Sequence, residues 1–203
     1  MIRPDLPGDF VAETILADAN VLYSRVLRDY LLYAMRAKLI WVVWSESILG
    51  EVTEHLMKNR PGFTEESAVR LVQAMSTSFP YARRDPGITD FQALTDVSLP
   101  DEDDRHVIAT ALAAPASFIC THDVGDFPPD VMCRFKLTVV TPDELLCPLI
   151  RGHESSMLWV HRTSVESLVG ATDESTILAL RKADAPMTAD LMSRYLGLAT
   201  PLN

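Results

Sequence analysis

Carboxylate side chains stand at four places in this chain where a predicted strand ends or a predicted helix begins. Asp18 follows the apolar residues ILA (15–17), and Asp123 lies just past SFICT (117–121). Glu51 lies near the start of one predicted helix, and Asp104 opens another. Converging carboxylates without Cys or His ligands favour hard ions such as Mg²⁺ or Mn²⁺ over zinc. Such an ion can activate water and stabilise a phosphate, which is the chemistry of phosphodiester hydrolysis.

The elements that must position these acids alternate between strands and helices. Short apolar runs predict strands at 13–17, 91–97, 117–121 and 135–140. Helical spacing and capping residues predict helices over 21–39, from Ser45 or Ser47 to 59, over 64–77, around 107–112, and after the capping box TPDE (141–144).

This alternation predicts an α/β fold, a three-layer α/β/α sandwich with parallel strands and right-handed crossovers. Ligands of such sheets bind beyond the carboxyl ends of the strands. Helices that follow strands begin at the same edge. We therefore expect the four acids to meet at one rim of the sheet, although they are far apart in sequence.

The strand pattern disappears after about residue 150. Residues 1–150 are expected to form the α/β domain, and residues 151–203 a C-terminal helical extension. Thr172 and Thr188 are the predicted helix caps in this extension, with breaks at Pro186 and Gly197. The extension carries no motif, which favours a role in packing or dimer contact over one in catalysis.

Charge and composition limit the possible functions. The chain has 28 acids against 18 bases, a net charge of −10, which is the wrong sign for binding phosphate unless metal ions or a basic partner protein compensate. The three cysteines are odd in number, widely spaced and form no C-x-x-C pair, which favours a reducing compartment. The first ten residues lack the apolar core of a signal peptide, and the longest apolar run, 39–44, is too short to cross a bilayer. We expect a cytoplasmic protein with no membrane association.

Four blocks together resemble the PIN-domain ribonucleases, and most closely the VapC-type toxins of bacterial toxin–antitoxin pairs. The resemblance covers about residues 15–147, and it is the order and spacing of the blocks that make it specific. The blocks are ILADANVLYS (15–24), WSESILGEV (44–52), DEDDRHVIATAL (101–112) and ICTHDVGDF (119–127).

The resemblance implies a parallel sheet of about five strands and a Mg²⁺- or Mn²⁺-dependent endoribonuclease that cleaves RNA with an activated water. It also implies a small cognate antitoxin protein and a homodimer. The catalytic and metal-binding acids that it implies are Asp18, Glu51, Asp104 and Asp123, with Asp126 as a further metal ligand. Either Asp123 or Asp126 completes the metal quartet, and we favour Asp123. Asn20 and Thr121 match supporting polar positions.

Each of these residues also has a simpler interpretation. Asp18 and Asp104 could cap helices, Asp123 and Asp126 could be turn residues, and Glu51 could be solvated. Arg25 and Arg28 share a predicted helical face with Arg36 and are weak candidates for RNA contact, although a solvated face or an Arg25–Asp29 ion pair explains them equally well.

Two other functions remain open. A metal-dependent phosphatase of haloacid-dehalogenase type needs a second acid two positions after its nucleophilic aspartate, where this chain has Asn20. A binding module that holds RNA or a protein without cutting is the other alternative.

Overall fold

Four short parallel strands form the centre of the computed structural model, which describes residues 13–198. The N-terminal residues for which no signal peptide is expected lie outside the described part. The strands are β1 Thr14–Ala17, β2 Trp41–Val43, β3 Phe118–Cys120 and β4 Thr138–Val140. They pair in the order β2-β1-β3-β4, and all three pairings are parallel.

The sheet confirms the parallel α/β architecture but differs from the expectation in two strands. The apolar run 39–44 contains β2, which the sequence patterns did not identify. The strand predicted at 91–97 is wrong, because a short helix and turns occupy this stretch. Arg105 donates hydrogen bonds to the carbonyl oxygens of Leu94 and Val97, so these groups are satisfied without a neighbouring strand. Within the described residues the sheet has four strands, where about five were expected, and one parallel bridge from Trp44 to Arg83 extends it.

Eleven α-helices surround the sheet in the described residues. They are α1 Ala19–Leu22, α2 Arg25–Arg36, α3 Glu46–Asn59, α4 Glu65–Ser78, α5 Ile88–Gln92, α6 Arg105–Ala113, α7 Pro129–Phe135, α8 Pro142–Gly152, α9 Glu154–Glu166, α10 Asp173–Lys182 and α11 Pro186–Tyr195.

Most helix boundaries follow from capping side chains. Ser45 accepts from the Ile48 N–H at the start of α3, and Thr141 and Glu144 form the predicted capping box of α8. The helix predicted over 21–39 is divided at Tyr23 and Ser24 into α1 and α2.

The cap predicted at Thr188 is wrong. Helix α11 already begins at Pro186, and its first turn is capped from another helix by Asp143, whose carboxylate accepts from the N–H groups of Met187 and Thr188 at 2.8 and 2.7 Å. Thr172 does cap α10, as predicted.

The three layers share one continuous core. Helix α2 packs against β2, α6 packs against β1, and α7 and α8 pack against β4. The residues after 152 are helical as expected, and α9 and α10 pack on α2 while α11 packs on α8. Among the described residues, no helix is both long and apolar enough to span a membrane.

A chain of polar side chains, buried at Tyr30 and His161, joins the extension to the sheet domain. The Tyr30 hydroxyl on α2 lies 2.6 Å from Nδ1 of His161 on α9, and Nε2 of His161 lies 3.1 Å from the carboxylate of Asp173 on α10. His161 is fully buried. Burial lowers the pKa of His161, and the nearby Asp173 only partly opposes this shift. The folded protein therefore holds this imidazole neutral.

Acid should destabilise the fold through His161. Its pKa is lower in the folded state than the 6.5 of an unperturbed histidine, so protonation favours the unfolded chain. The stability that neutral His161 provides is complete above about pH 6.5 and is lost as the pH falls towards the folded-state pKa. Urea unfolding at about pH 5 and about pH 7.5 should show a smaller pH dependence in His161→Gln than in the native chain. The exposed His153, changed to Gln, is the control and should behave like the native chain. An unchanged pH dependence in His161→Gln would contradict this prediction.

Candidate active site

The candidate site lies where the order of strand addition in the sheet reverses. The chain runs from β1 to β2 on one side and later places β3 on the other side of β1, so the crevice beyond β1 and β3 is a topological switch point. Ala17 is the last residue of β1 and Cys120 is the last residue of β3, and the two pair in register. The next residues, Asp18 and Thr121, therefore lie side by side at this edge.

The Thr121 hydroxyl organises this crevice. It donates to the Asp18 carboxylate at 2.8 Å and accepts from the Asn20 side-chain amide at 2.7 Å and from the Asp123 N–H at 3.1 Å. Its one donor and both acceptor positions are therefore occupied. Thr121 is fully buried. It thus fixes Asp18 rather than offering a free hydroxyl to a ligand.

Asn20 links the two strand ends a second time. Its amide nitrogen donates to the Asp123 carboxylate at 2.9 Å, and its oxygen accepts from the His122 N–H at 3.1 Å. The supporting role expected for Asn20 thus has a geometric basis. Asp123 itself is exposed at the mouth of the crevice.

Asp18 is 6 % exposed. Burial raises the pKa of this carboxyl, hydrogen bonds from Thr121 and the Ala19 N–H lower it, and the charge of Glu51 raises it again. A buried carboxylate next to another carboxylate is unfavourable without a cation. Asp18 also caps α1, but its burial beside Glu51 goes beyond what a helix cap requires and makes it a candidate for a functional acid.

Asp104 lies in the same field of negative charge. It ends the short 3₁₀ turn Glu102–Asp104 and directly precedes α6. Burial raises its pKa to about 7, and the negative charges of Asp18, Asp101 and Asp126 contribute to this rise. The chain thus brings carboxylates from three distant segments close enough to influence one another.

The two acids of the last block differ in their surroundings. Among the described residues, the charge of Asp126 acts on Asp104, whereas that of Asp123 is not among the causes that shift the pKa of Asp18 or Asp104. Asp123 is instead held by Asn20 at 2.9 Å. Of the two acids, Asp126 is therefore the one that interacts electrostatically with the other carboxylates of the crevice.

Glu51 is paired with a histidine that the sequence patterns did not single out. Glu51 is half-exposed on α3, and its carboxylate lies 2.7 Å from Nε2 of His106 on α6. The hydrogen bond and charge of Glu51 raise the pKa of His106, while burial lowers it. Nδ1 of His106 is buried without a hydrogen-bond partner among the described residues. The sequence signal that could have identified His106 is its position, since it lies in the first turn of α6, which Asp104 directly precedes.

The two arginines proposed for RNA contact differ in their surroundings. Arg28 is buried and donates to the Leu22 carbonyl at 2.5 Å, so it does not share an exposed face with Arg36. Arg25 makes the anticipated ion pair with Asp29 at 3.4 Å, and its Nη2 also donates to Ser167 after α9. Arg25 remains about one-third exposed.

The acids of the crevice offer only oxygen donors, the ligand type that hard divalent cations prefer. Within residues 13–198, no three Asp, Glu, His or Cys side chains form a ready-made metal cage. Asp18, Glu51 and Asp104 nevertheless belong to one set of interacting charges, and Asp126 acts on Asp104. The pKa values of Asp18 and Asp104 are raised because keeping these carboxylates ionised in a partly buried crevice is unfavourable in free energy. A cation with oxygen ligands would remove that cost.

Comparison with known proteins identifies the family. The model of a family described as "PIN domain" matches residues 14–125, which is more than half of the chain. No curated protein and no solved structure matches. The match contains all the acids of the crevice except Asp126, which directly follows its end. The chain therefore belongs to the PIN domain family, whose members are typically nucleases that use divalent metal ions.

Proposed function

We propose that this chain is an endoribonuclease that depends on Mg²⁺ or Mn²⁺. The observation that carries the proposal is the convergence of carboxylates at the topological switch point, where the charge of Glu51 acts on Asp18, and the charges of Asp18 and Asp126 act on Asp104. A site for a neutral ligand would have no use for so many carboxylates in a partly buried crevice. A site for a hard cation and a phosphodiester needs them.

The roles of the residues follow from their contacts. Asp18 is the central ligand, and Thr121 holds its carboxylate at a fixed angle through a 2.8 Å hydrogen bond. Glu51 and Asp104 approach from α3 and from the turn before α6. Asn20 keeps the ends of β1 and β3 together through Thr121 and Asp123. A divalent ion held by these acids would lower the pKa of a water and stabilise the leaving oxygen of the phosphodiester.

We propose Asp126 as the fourth ligand and Asp123 as a supporting residue, the reverse of the order that the sequence favoured. The support is that the charge of Asp126 raises the pKa of Asp104, whereas Asp123 is engaged by Asn20. A residue already held by a neutral amide has less need of a cation than one that faces other carboxylates.

The finer biological role that we propose is that of a cytoplasmic, homodimeric VapC-type toxin held inactive by a small antitoxin. Its support is the order and spacing of the four sequence blocks, together with a net charge of −10 that would attract a basic partner. Expression in a bacterial host should arrest growth, and coexpression of the short reading frame next to the gene should restore it. Normal growth on expression of active protein would exclude the toxin role without affecting the nuclease assignment.

Purified protein should cut RNA with Mg²⁺ or Mn²⁺, and EDTA should abolish cutting, because without the cation the carboxylates repel both one another and the phosphate. Gel analysis of a labelled RNA measures this, and re-addition of metal after EDTA is the control. Cutting that persists in EDTA would exclude metal dependence. Faster turnover of a small phosphate monoester than of RNA would favour the phosphatase alternative, and RNA binding without cutting would favour the binding module.

His106 should act as a positioning residue for Glu51. Replacing it with Ala removes the 2.7 Å contact and should lower the cleavage rate about 10–100-fold, the usual effect of losing a group that orients a metal ligand. His106→Gln keeps a donor near Glu51 and should recover part of the rate. Equal losses in both variants would contradict a role through this hydrogen bond.

A further inference from the structure

We infer that the cleft between the catalytic edge and the C-terminal extension binds one unpaired nucleotide of the RNA next to the scissile phosphate. This inference rests on the proposed function and adds to it a binding site for the substrate strand. The cleft has a volume of about 560 Å³, within the range of pockets that hold small organic ligands.

The cleft is continuous with the candidate active site. Asn20, His122 and Asp123 line one side, and residues of α9 and α10 line the other. Asn20 and Asp123 are hydrogen-bonded to each other and, through Thr121, to Asp18. Whatever occupies the cleft therefore lies beside Asp123 and Asn20, which Thr121 connects to the carboxylate of Asp18.

Two cations face this cleft on an otherwise acidic molecule. Lys182, at the end of α10, is exposed and makes no ion pair within the described part of the chain. Arg25 uses only Nη2 in its contacts with Asp29 and Ser167, so Nε and Nη1 have no partner between residues 13 and 198. Asp123 and Asp184 offset these charges. A phosphate in the cleft thus meets one donor from the start of α2, Arg25, and one from the end of α10, Lys182.

The remaining wall suits a nucleoside better than a polypeptide. Val26, Leu168 and Ala179 offer an apolar surface for one face of a base, and Ser24 and Thr176 offer hydroxyls for its edge or ribose. A base stacked inside a duplex cannot enter such a cleft, so the site selects unpaired RNA. A basic peptide would meet Lys182 and Arg25 as like charges, which argues against it as the occupant.

The test measures binding without turnover. A fluorescein-labelled, unstructured RNA of about twelve nucleotides is titrated with metal-free protein that carries Asp18→Asn. In this background Lys182→Ala should weaken binding about tenfold and reduce the slope of log K against log salt by about 0.7, the value for one lost phosphate contact on a single strand. Ala179→Leu, which narrows the cleft, should also weaken binding, with no change in the salt slope. Lys58→Ala, an exposed lysine on α3, is the matched control and should leave affinity and slope unchanged.

The results separate the two proposals. Hydrolysis of bis(p-nitrophenyl) phosphate and of RNA by the native chain tests the catalytic function, whereas the titration tests the cleft even if no cutting occurs. In an active enzyme, both cleft variants should lower the ratio of kcat/KM for RNA to that for the small diester. RNA affinity and salt slope that stay the same in Lys182→Ala and Ala179→Leu would overturn the inference, as would a basic peptide that binds the cleft in place of RNA.

Discussion

Replacing Asp18 with Asn should lower RNA cleavage by more than about 100-fold, beyond the usual effect of losing an outer-sphere group. Asp18 is 6 % exposed, is fixed by Thr121 and Ala19, and lies at the centre of the crevice. The amide keeps the size of the side chain but removes the charge that a cation needs. A loss of about 100-fold corresponds to about 2.7 kcal/mol of transition-state stabilisation.

The variant should not fail by unfolding. Burial raises the pKa of Asp18, so a neutral side chain at this position removes a cost from the folded state. The native protein should gain roughly 5–10 °C in Tm when Mn²⁺ is present at about 100 times its Kd, and Asp18→Asn should lose most of this gain. The exposed Asp130, changed to Asn, is the matched control and should retain both the Tm shift and cleavage. An Asp18→Asn protein that cuts at the native rate would refute the proposed site.

Asp126→Asn should be much more damaging than Asp123→Asn. If Asp126 is a metal ligand, its loss should lower the cleavage rate by about 100-fold or more, whereas loss of a supporting carboxylate at Asp123 should cost about tenfold. In Asp123→Asn the carbonyl oxygen of the new side-chain amide can still accept the hydrogen bond from Asn20, so the ends of β1 and β3 stay together.

The two variants form a matched pair, because both change one carboxylate to an amide within the same four residues. Isothermal titration with Mn²⁺ separates their effects on metal affinity from effects on the chemical step. A larger loss of metal affinity in Asp123→Asn would restore the order that the sequence favoured and would show that the side chain of Asp123 turns towards the cation on binding.

The central part of the fold was predictable because its signals are local. Strand β1 is an apolar run that stops at a carboxylate, and β3 is bounded by Pro115 and the turn-forming residues after Thr121. The capping box at Thr141 fixes the start of α8 by side-chain hydrogen bonds within four residues. Parallel pairing then places Asp18 and Thr121 at the same edge.

The parts that could not be predicted depend on tertiary contacts. Strand β2 has only three residues, and the apolar run 39–44 that contains it is compatible with strand or helix until its neighbour is known. Residues 91–97 look like a strand, yet Arg105 provides their hydrogen bonds from another segment. The N-terminus of α11 is capped by Asp143, more than 40 residues earlier in the chain. None of these partners can be read from a local window.

The acidic residues of the site could be predicted from the sequence, but the hydrogen bonds that connect them could not. Family likeness supplied the positions of the acids, and topology explained why they meet. The sequence did not reveal that the Thr121 hydroxyl would be shared by Asp18, Asn20 and the Asp123 backbone, or that His106 would pair with Glu51. These contacts depend on side-chain directions that only the packed structure fixes.

The double attachment of the extension has a consequence for how the molecule can be dissected. Asp143 holds α11, and the Tyr30–His161–Asp173 chain holds α9 and α10, so both ends of the extension are fastened to buried groups of the sheet domain. Cutting the chain after Gly152 would leave Tyr30 and Asp143 without these partners and would expose the apolar surface of α2. The whole described chain should therefore melt in one cooperative transition, and a shortened fragment that ends where the family match ends would not be a faithful substitute for the enzyme.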